Sequence, residues 1–269
     1  MQNSISSPNR QLAAYSPLAS VDTDALKSLR VVHLGVQYRQ VQALEDVSMI
    51  VQPGRLTGMI GPNGAGKSTL VKAILGLVPV TSGTVLYGDR PLIEQRSQVA
   101  YVPQRTQIDW TYPATVWDVV MMGRVQKTGW LRRFSTVSRR IAGSALARVG
   151  MEALRDRPIG QLSGGQQQRV FLARALAQEA EFFCFDEPFV GIDQKTEAIL
   201  FEIFRELAAA GKTVLVVNHD LGEAITNFDN LILLNRTLIA SGPRSHVLNT
   251  HNLHRAYGGV VSFFSAEAA

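Results

Sequence analysis

"GPNGAGKS", residues 61–68, decides how this chain is read. The eight residues fit G-x-x-x-x-G-K-[ST], and their surroundings suit that pattern. "LTGMI" (56–60) before them is a compact apolar run expected to be a strand, and "KSTLVKAILG" (67–76) after them has helical spacing. Glycines let such a loop curl until successive N–H groups point at one anion, and the helix that follows adds its positive end. Gly61, Asn63, Gly64, Ala65, Gly66, Lys67, Ser68 and Thr69 are therefore the expected contacts of a nucleoside triphosphate. Lys67 is placed to reach the β- and γ-phosphates, and the Ser68 hydroxyl to bind Mg²⁺.

Further along, "FFCFDE" (182–187) is an apolar strand that ends in two acids. Charges at the edge of a core are costly unless something compensates them. Beside a phosphate loop the first acid, Asp186, is expected to help hold Mg²⁺. The second, Glu187, is then placed to orient or deprotonate an attacking water. His219 directly follows the strand-like "TVLVVN" (213–218), at the carboxyl end of a parallel strand, where α/β sheets keep their ligands. A γ-phosphate-sensing role is expected for it.

The remaining pattern alternates strand-type and helix-type runs. "GTVLYGDRPL" (83–92) reads as a hairpin turning near Gly88-Asp89, "VAYVP" (99–103) as a strand, and "NLILL" (230–234) as another. "TEAILFEIFRELAAAG" (196–211) is helical. Continuous apolar strands separated by helices predict a mostly parallel sheet covered on both faces. Between 105 and 178 only helices and loops are expected. There Thr115 and Asp118 are spaced as a capping box, and "VSRRIAGSALARVG" (137–150) ends on a C-cap glycine. The expected fold class is α/β: a P-loop NTPase core with an antiparallel β edge and an inserted helical piece.

With 46% hydrophobic and 18% charged residues, the 269-residue chain has the makeup of an ordinary globular protein. Its single cysteine, Cys184, rules out an internal disulfide and reads as a small core residue. Residues 1–28, rich in Ser, Asn, Pro and Gln, lack an apolar segment behind a basic start and are expected to be a flexible tail rather than a signal peptide. No run of 18 apolar residues is present, so no span of a bilayer is expected. A net charge of +5 admits nucleic acid or an anionic membrane surface without arguing for either. The basic run "WLRRFSTVSRR" (130–140) is expected to be a solvated or membrane-facing surface, with no nucleic-acid partner. His246, His251 and His254 lie close in sequence but without acidic partners, so metal binding is not expected of them.

"LSGGQQQR" (162–169) opens another helix. Ser163 caps it, and Gly164-Gly165 leave its first N–H groups bare, a second anion site. Two phosphate cradles but one Mg²⁺-and-water apparatus leave two arrangements. Both cradles close on one nucleotide within the chain, or each faces a second chain.

GPNGAGKST, LSGGQQQRVFLARAL, FFCFDEP and VVNHD, in this order and spacing, resemble the nucleotide-binding subunit of an ATP-binding cassette (ABC) transporter over about residues 29–250. The resemblance implies a RecA-like core (29–104 and 179–250), a helical subdomain (105–178) and a C-terminal tail (251–269). It implies a homodimer in which Ser163, Gly164, Gly165 and Gln166 of one chain close on ATP held by the other. It also implies roles for Tyr38 (stacking on adenine), Gln104 (touching Mg²⁺ and the water) and Asp193 (linking the two sites). Asn218 stands where Thr or Ser is frequent in the family, a mild departure.

The segment after Gln104 in this family receives a helix from the membrane permease. Trp110 and Tyr112, in loop-like sequence beside Pro113, are the expected contacts, and Trp117 is expected in the core. Arg105, Asp109, Trp110 and Pro113 match an R-x-x-x-D-W-x-x-P element and are similar to importers of manganese, zinc or chelated iron. That implies ATP-driven uptake of a transition metal, manganese first, with an extracytoplasmic metal-binding protein and a location on the cytoplasmic face of the membrane. A soluble ABC ATPase without a transport role is the alternative of another class. Ribosome-type members carry two cassettes in one chain and chromosome-type members a long coiled coil, and this chain has neither. Export, or a cargo other than metal, is a further alternative.

Overall fold

The computed structural model describes residues 27–129, 132–218 and 222–258, except the side chain of Glu223. In chain order the first half runs β1 (Leu29–Tyr38), β2 (Val41–Val51), β3 (Leu56–Ile60), α1 (Lys67–Ile74), β4 (Ser82–Tyr87), β5 (Arg90–Pro91), β6 (Val99–Val102), α2 (Val116–Met122), α3 (Val125–Thr128) and α4 (Thr136–Arg148). There follow α5 (Gly164–Ala177), β7 (Phe182–Asp186), α6 (Gln194–Ala209), β8 (Thr213–Val217), β9 (Asn230–Asn235), β10 (Thr237–Pro243), α7 (Arg244–Val247) and α8 (Thr250–Tyr257).

β3, β7 and β8 are buried at every residue because a parallel sheet is covered on both faces. They form a six-stranded sheet of order β10-β9-β3-β8-β7-β6, parallel except for the antiparallel edge strand β10. The pleat of β7 divides its side chains between two cores. Phe183 and Phe185 join the core shared with α2, α4, α5 and α6, whereas Phe182 and Cys184 face α1 and the second sheet. Each fully buried Phe of this kind contributes about 1.5–3 kcal/mol. Cys184 is fully buried and desolvation pushes its thiol well up, as suits a core residue.

The second sheet, of order β2-β1-β4-β5, is antiparallel throughout. β4 and β5 are the expected hairpin. β1 and β2 were not among the expected strands, and two features explain why. Their pairing shifts register repeatedly, and His33 and Asp46 adopt left-handed φ of 50° and 48° at the irregularities. Strict alternation is lost there, although Leu44, Val47, Met49 and Val51 still face inward.

Between β6 and β7 the chain is helical, and the described residues there form no strand beyond an isolated bridge, Thr115 to Pro158. Thr115 caps α2 with the full capping box to Asp118, and Gly150 takes a φ of 65° just past α4. The tail expected from 251 is corrected for its first residues. α8 occupies Thr250–Tyr257 and buries Leu253 and Ala256, with Ala256 O accepting from Asn235 Nδ2 at 2.9 Å. Only two apolar anchors among polar neighbours carry that contact, too weak a periodicity to read in advance. Among the described residues, no helix is long and apolar enough to cross a membrane.

Candidate active site

β3 delivers the phosphate loop, whose curl depends on positions where a Cβ has no room. Gly61 has φ 155°, and a Cβ there would lie 2.1 Å from Leu234 O. Gly66, at φ 92°, would bring a Cβ to 2.6 Å from Leu44 Cδ2 and 2.9 Å from Ala43 O. Gly66 also caps α1 without a side-chain hydrogen bond. The N–H groups of Lys67, Ser68 and Thr69 have no partner within the helix and face the loop's concavity. A cavity of about 300 Å³ lies there, lined by residues 63–69, by Val41, Gln42 and Ala43 of β2, and by Glu187 and Arg236.

Lys67 folds back on its own loop, where Nζ donates to Gly61 O at 2.6 Å and to Pro62 O at 3.0 Å. Burial lowers its pKa, against the opposing pull of Glu187 and Asp186. A phosphate oxygen offers this ammonium a full charge in place of neutral carbonyls, a stronger partner.

β7 brings the two acids to the same edge. Asp186 is 1% exposed, and its Oδ1 has no hydrogen-bond partner among the described residues. Its Oδ2 lies 3.5 Å from the Tyr101 hydroxyl, at the long limit of a hydrogen bond. Burial, then repulsion from Glu187, pushes its pKa up to about 6. The Tyr101 hydroxyl is itself pushed up, mainly by burial and then by Asp186. Glu187 sits at φ 49°, a left-handed conformation costing about 1–2 kcal/mol, with its N–H held by Val217 O at 3.1 Å. Gln104 Nε2 donates to Glu187 Oε2 at 2.7 Å, which leaves Oε1 as the acceptor of that side-chain amide. The unpaired Asp186 oxygen, the Ser68 hydroxyl and the Gln104 side-chain oxygen are all hard oxygen donors, the chemistry that fits a hard divalent cation.

The second cradle stands apart from this cavity. Ser163 caps α5 in a capping box: Oγ accepts from Gln166 N at 3.3 Å, and Gln166 Oε1 accepts from Ser163 N at 2.9 Å. None of Ser163, Gly164, Gly165 or Gln166 lines the phosphate-loop cavity. Gly165 instead lies against α6, where a Cβ would meet Thr196 Oγ1 at 2.9 Å. Asp193 caps that helix through Thr196 N at 2.7 Å, and hydrogen bonds from Thr196 lower its pKa. Tyr38, 43% exposed, ends β1 opposite Val41. His219 lies outside the described residues.

The aromatic segment sorts differently from expectation. Trp110 is half-buried, edge-on to Phe171 at 5.3 Å, and its Nε1 donates to Arg105 O at 3.1 Å. Tyr112 is 60% exposed. Trp117 is half-buried: it packs against the larger core, and the Arg155 guanidinium lies over its ring at 4.0 Å. Two residues of the site were missed from sequence: Tyr101, an aromatic within an ordinary strand pattern, and Arg236, a turn residue with no distinguishing motif. Among the described residues, no group of three His, Cys, Asp or Glu side chains is placed to hold a metal ion.

Comparison with known proteins bears directly on this arrangement. The profile of the family described as "ABC transporter" matches residues 44–190. The chain is 49% identical over 237 residues to the manganese transport system ATP-binding protein MntB of Halalkalibacterium halodurans, covering 88% of this chain and 94% of that relative. The chain belongs to the ABC transporter family. As an ABC ATPase it binds ATP and hydrolyses it, and its fold is the P-loop cassette. It is also 47% identical over 235 residues to the zinc transport system ATP-binding protein TroB of Treponema pallidum, covering 87% and 88% of the two chains. Among solved structures it resembles the dimeric structure of MJ0796, a bacterial ABC transporter cassette, with TM-score 0.68, 26% identity and coverage of 80% and 98%.

Proposed function

We propose that this ABC ATPase energises import of a transition metal, manganese ahead of zinc, through a separate membrane permease. The observation that carries the cargo is the 49% identity to MntB along nearly the whole length of both chains. The similarity to TroB keeps zinc as the second reading. The permease meets the chain near Gln104, Trp110 and Tyr112, of which Tyr112 is the most exposed. This places the subunit at the cytoplasmic face of the membrane. An extracytoplasmic metal-binding protein completes the system.

In the catalytic cycle Lys67 leaves the Gly61 and Pro62 carbonyls for the β- and γ-phosphates, while the N–H groups at the start of α1 hold the phosphate chain. Ser68, Asp186 and Gln104 would hold Mg²⁺, which would supply positive charge to offset that of the phosphate chain. Glu187 takes a proton from a water as its oxygen bonds to the γ-phosphorus. The bond from the γ-phosphorus to the β–γ bridging oxygen breaks, releasing ADP and phosphate. His219 senses the γ-phosphate, and Tyr38 stacks on adenine.

Two chains pair head to tail, so that Ser163, Gly164, Gly165 and Gln166 of one close on the ATP of the other, with Asp193 linking the sites. The separation of Ser163 from the chain's own cavity supports this over closure within one chain. The resemblance to a dimeric cassette supports it as well.

The test is uptake of labelled manganese, zinc and iron by cells whose only copy carries Glu187→Gln. Loss of manganese uptake alone is expected. Unchanged uptake of all three metals would sink the metal-import reading.

A further inference from the structure

One cation in the phosphate-loop cavity has no part in the mechanism above. Arg236 alone makes the turn between β9, which ends at Asn235, and β10, which begins at Thr237. Its φ is 60°, a left-handed conformation that glycine adopts freely and arginine does not. The backbone is pinned on both sides. Arg236 N donates to Ala65 O of the phosphate loop at 2.8 Å, and Arg236 O accepts from Glu45 N of β2 at 2.9 Å. That clamp holds the residue between the two walls of the cavity, and Arg236 lines it together with Lys67 and Glu187.

The turn's geometry asks for glycine, so the side chain needs a reason of its own. Packing does not supply one, because Arg236 is exposed. Ion pairing does not either: among the described residues no carboxylate lies within salt-bridge distance of it. An uncommitted guanidinium beside a cradle of phosphate-directed N–H groups is suited to an anion, and its planar fork matches phosphate oxygens.

We propose that Arg236 is a nucleotide-binding residue whose guanidinium takes a phosphate oxygen of the ATP held by the Lys67 loop. This rests on that loop being the nucleotide site. The guanidinium is a second cation on the phosphate chain, reaching it from the β9–β10 turn while Lys67 reaches it from the loop.

The experiment is calorimetric titration of the full-length chain with Mg-ATP, comparing Arg236→Gly, Arg236→Lys and Lys67→Ala with the parent. Arg236→Gly is expected to weaken ATP binding about tenfold, the size of one charge-assisted contact. Because glycine suits the turn, its melting temperature should not fall. Arg236→Lys should keep part of the affinity, and the gap between parent and Arg236→Gly should narrow as salt is raised. Affinity of Arg236→Gly within twofold of the parent would overturn the proposal. So would weakened binding that came with a lower melting temperature and no salt dependence, which is a structural effect. If Lys67→Ala bound ATP as well as the parent, the nucleotide site itself would be misplaced, and the Arg236 proposal would fall with it.

Discussion

The starts of α1 and α5 are two answers to one problem. Every helix begins with N–H groups that lack intrahelical partners. α1 leaves them open: its cap is Gly66, with no side-chain hydrogen bond, and Lys67 lies alongside. α5 closes only part of them: the Ser163–Gln166 capping box takes the N–H of Gln166 and that of Ser163 itself, and does not reach those of Gly164 and Gly165. A helix start that must hold an anion within its own chain stays open at some cost in stability. One that waits for a second molecule can cap itself in the meantime. The difference accords with the first lining the phosphate-loop cavity while the residues of the second lie outside it.

The comparison breaks most visibly at the open end. Lys67→Ala removes the side chain that turns an array of N–H dipoles into a charged site. Loss of a desolvated charge contact of this type costs about 2–5 kcal/mol, so Mg-ATP affinity should fall by roughly 30- to 5,000-fold by calorimetry. A loss under threefold would mean that the N–H groups alone carry the site.

Next in size is the neighbouring acid. Asp186 has its pKa raised to about 6 in the folded chain, against an ordinary value near 3.8. Its ionised form therefore opposes folding: the penalty is complete above pH 6 and fades as pH falls toward 4. Asp186→Asn should stabilise the ligand-free chain by about 2–3 kcal/mol at pH 7.5, by denaturant melts. The advantage should shrink to nothing by about pH 4. A variant less stable than the parent at pH 7.5 would mean that the carboxylate is satisfied by something other than a bound cation.

The two helix starts were also the most legible parts of the sequence, since local rules govern both. The loop glycines, the Ser163 cap and the Thr115–Asp118 box each need only a few neighbouring residues to specify them. So does β7, an unbroken apolar run ending in acids. What was not legible depends on distant partners. β1 and β2 hide their alternation behind bulges at His33 and Asp46, which only the pairing between the strands reveals. Trp117 packs against the core, as its helical position suggests, but the Arg155 guanidinium over its ring comes from a separate loop and is not legible locally. Arg236 reaches the cavity because its turn is hydrogen-bonded to Ala65, far away in the sequence.

The smallest effect, and the sharpest test of the comparison, lies at Ser163. Losing an N-cap hydroxyl costs about 1 kcal/mol. For a chain of this size Ser163→Ala should lower the melting temperature by about 2–4 °C. Asparagine also caps helices, so Ser163→Asn should restore that temperature. In the box Ser163 Oγ only accepts, from Gln166 N at 3.3 Å, so its O–H proton can turn to an acceptor outside the helix at little loss. If it turns to ATP held by a second chain, ATP turnover should fall in both variants, because asparagine supplies the cap but not the same hydroxyl donor. Recovery of turnover together with stability in Ser163→Asn would reduce Ser163 to a cap, and the contrast between the two helix starts would lose its functional meaning.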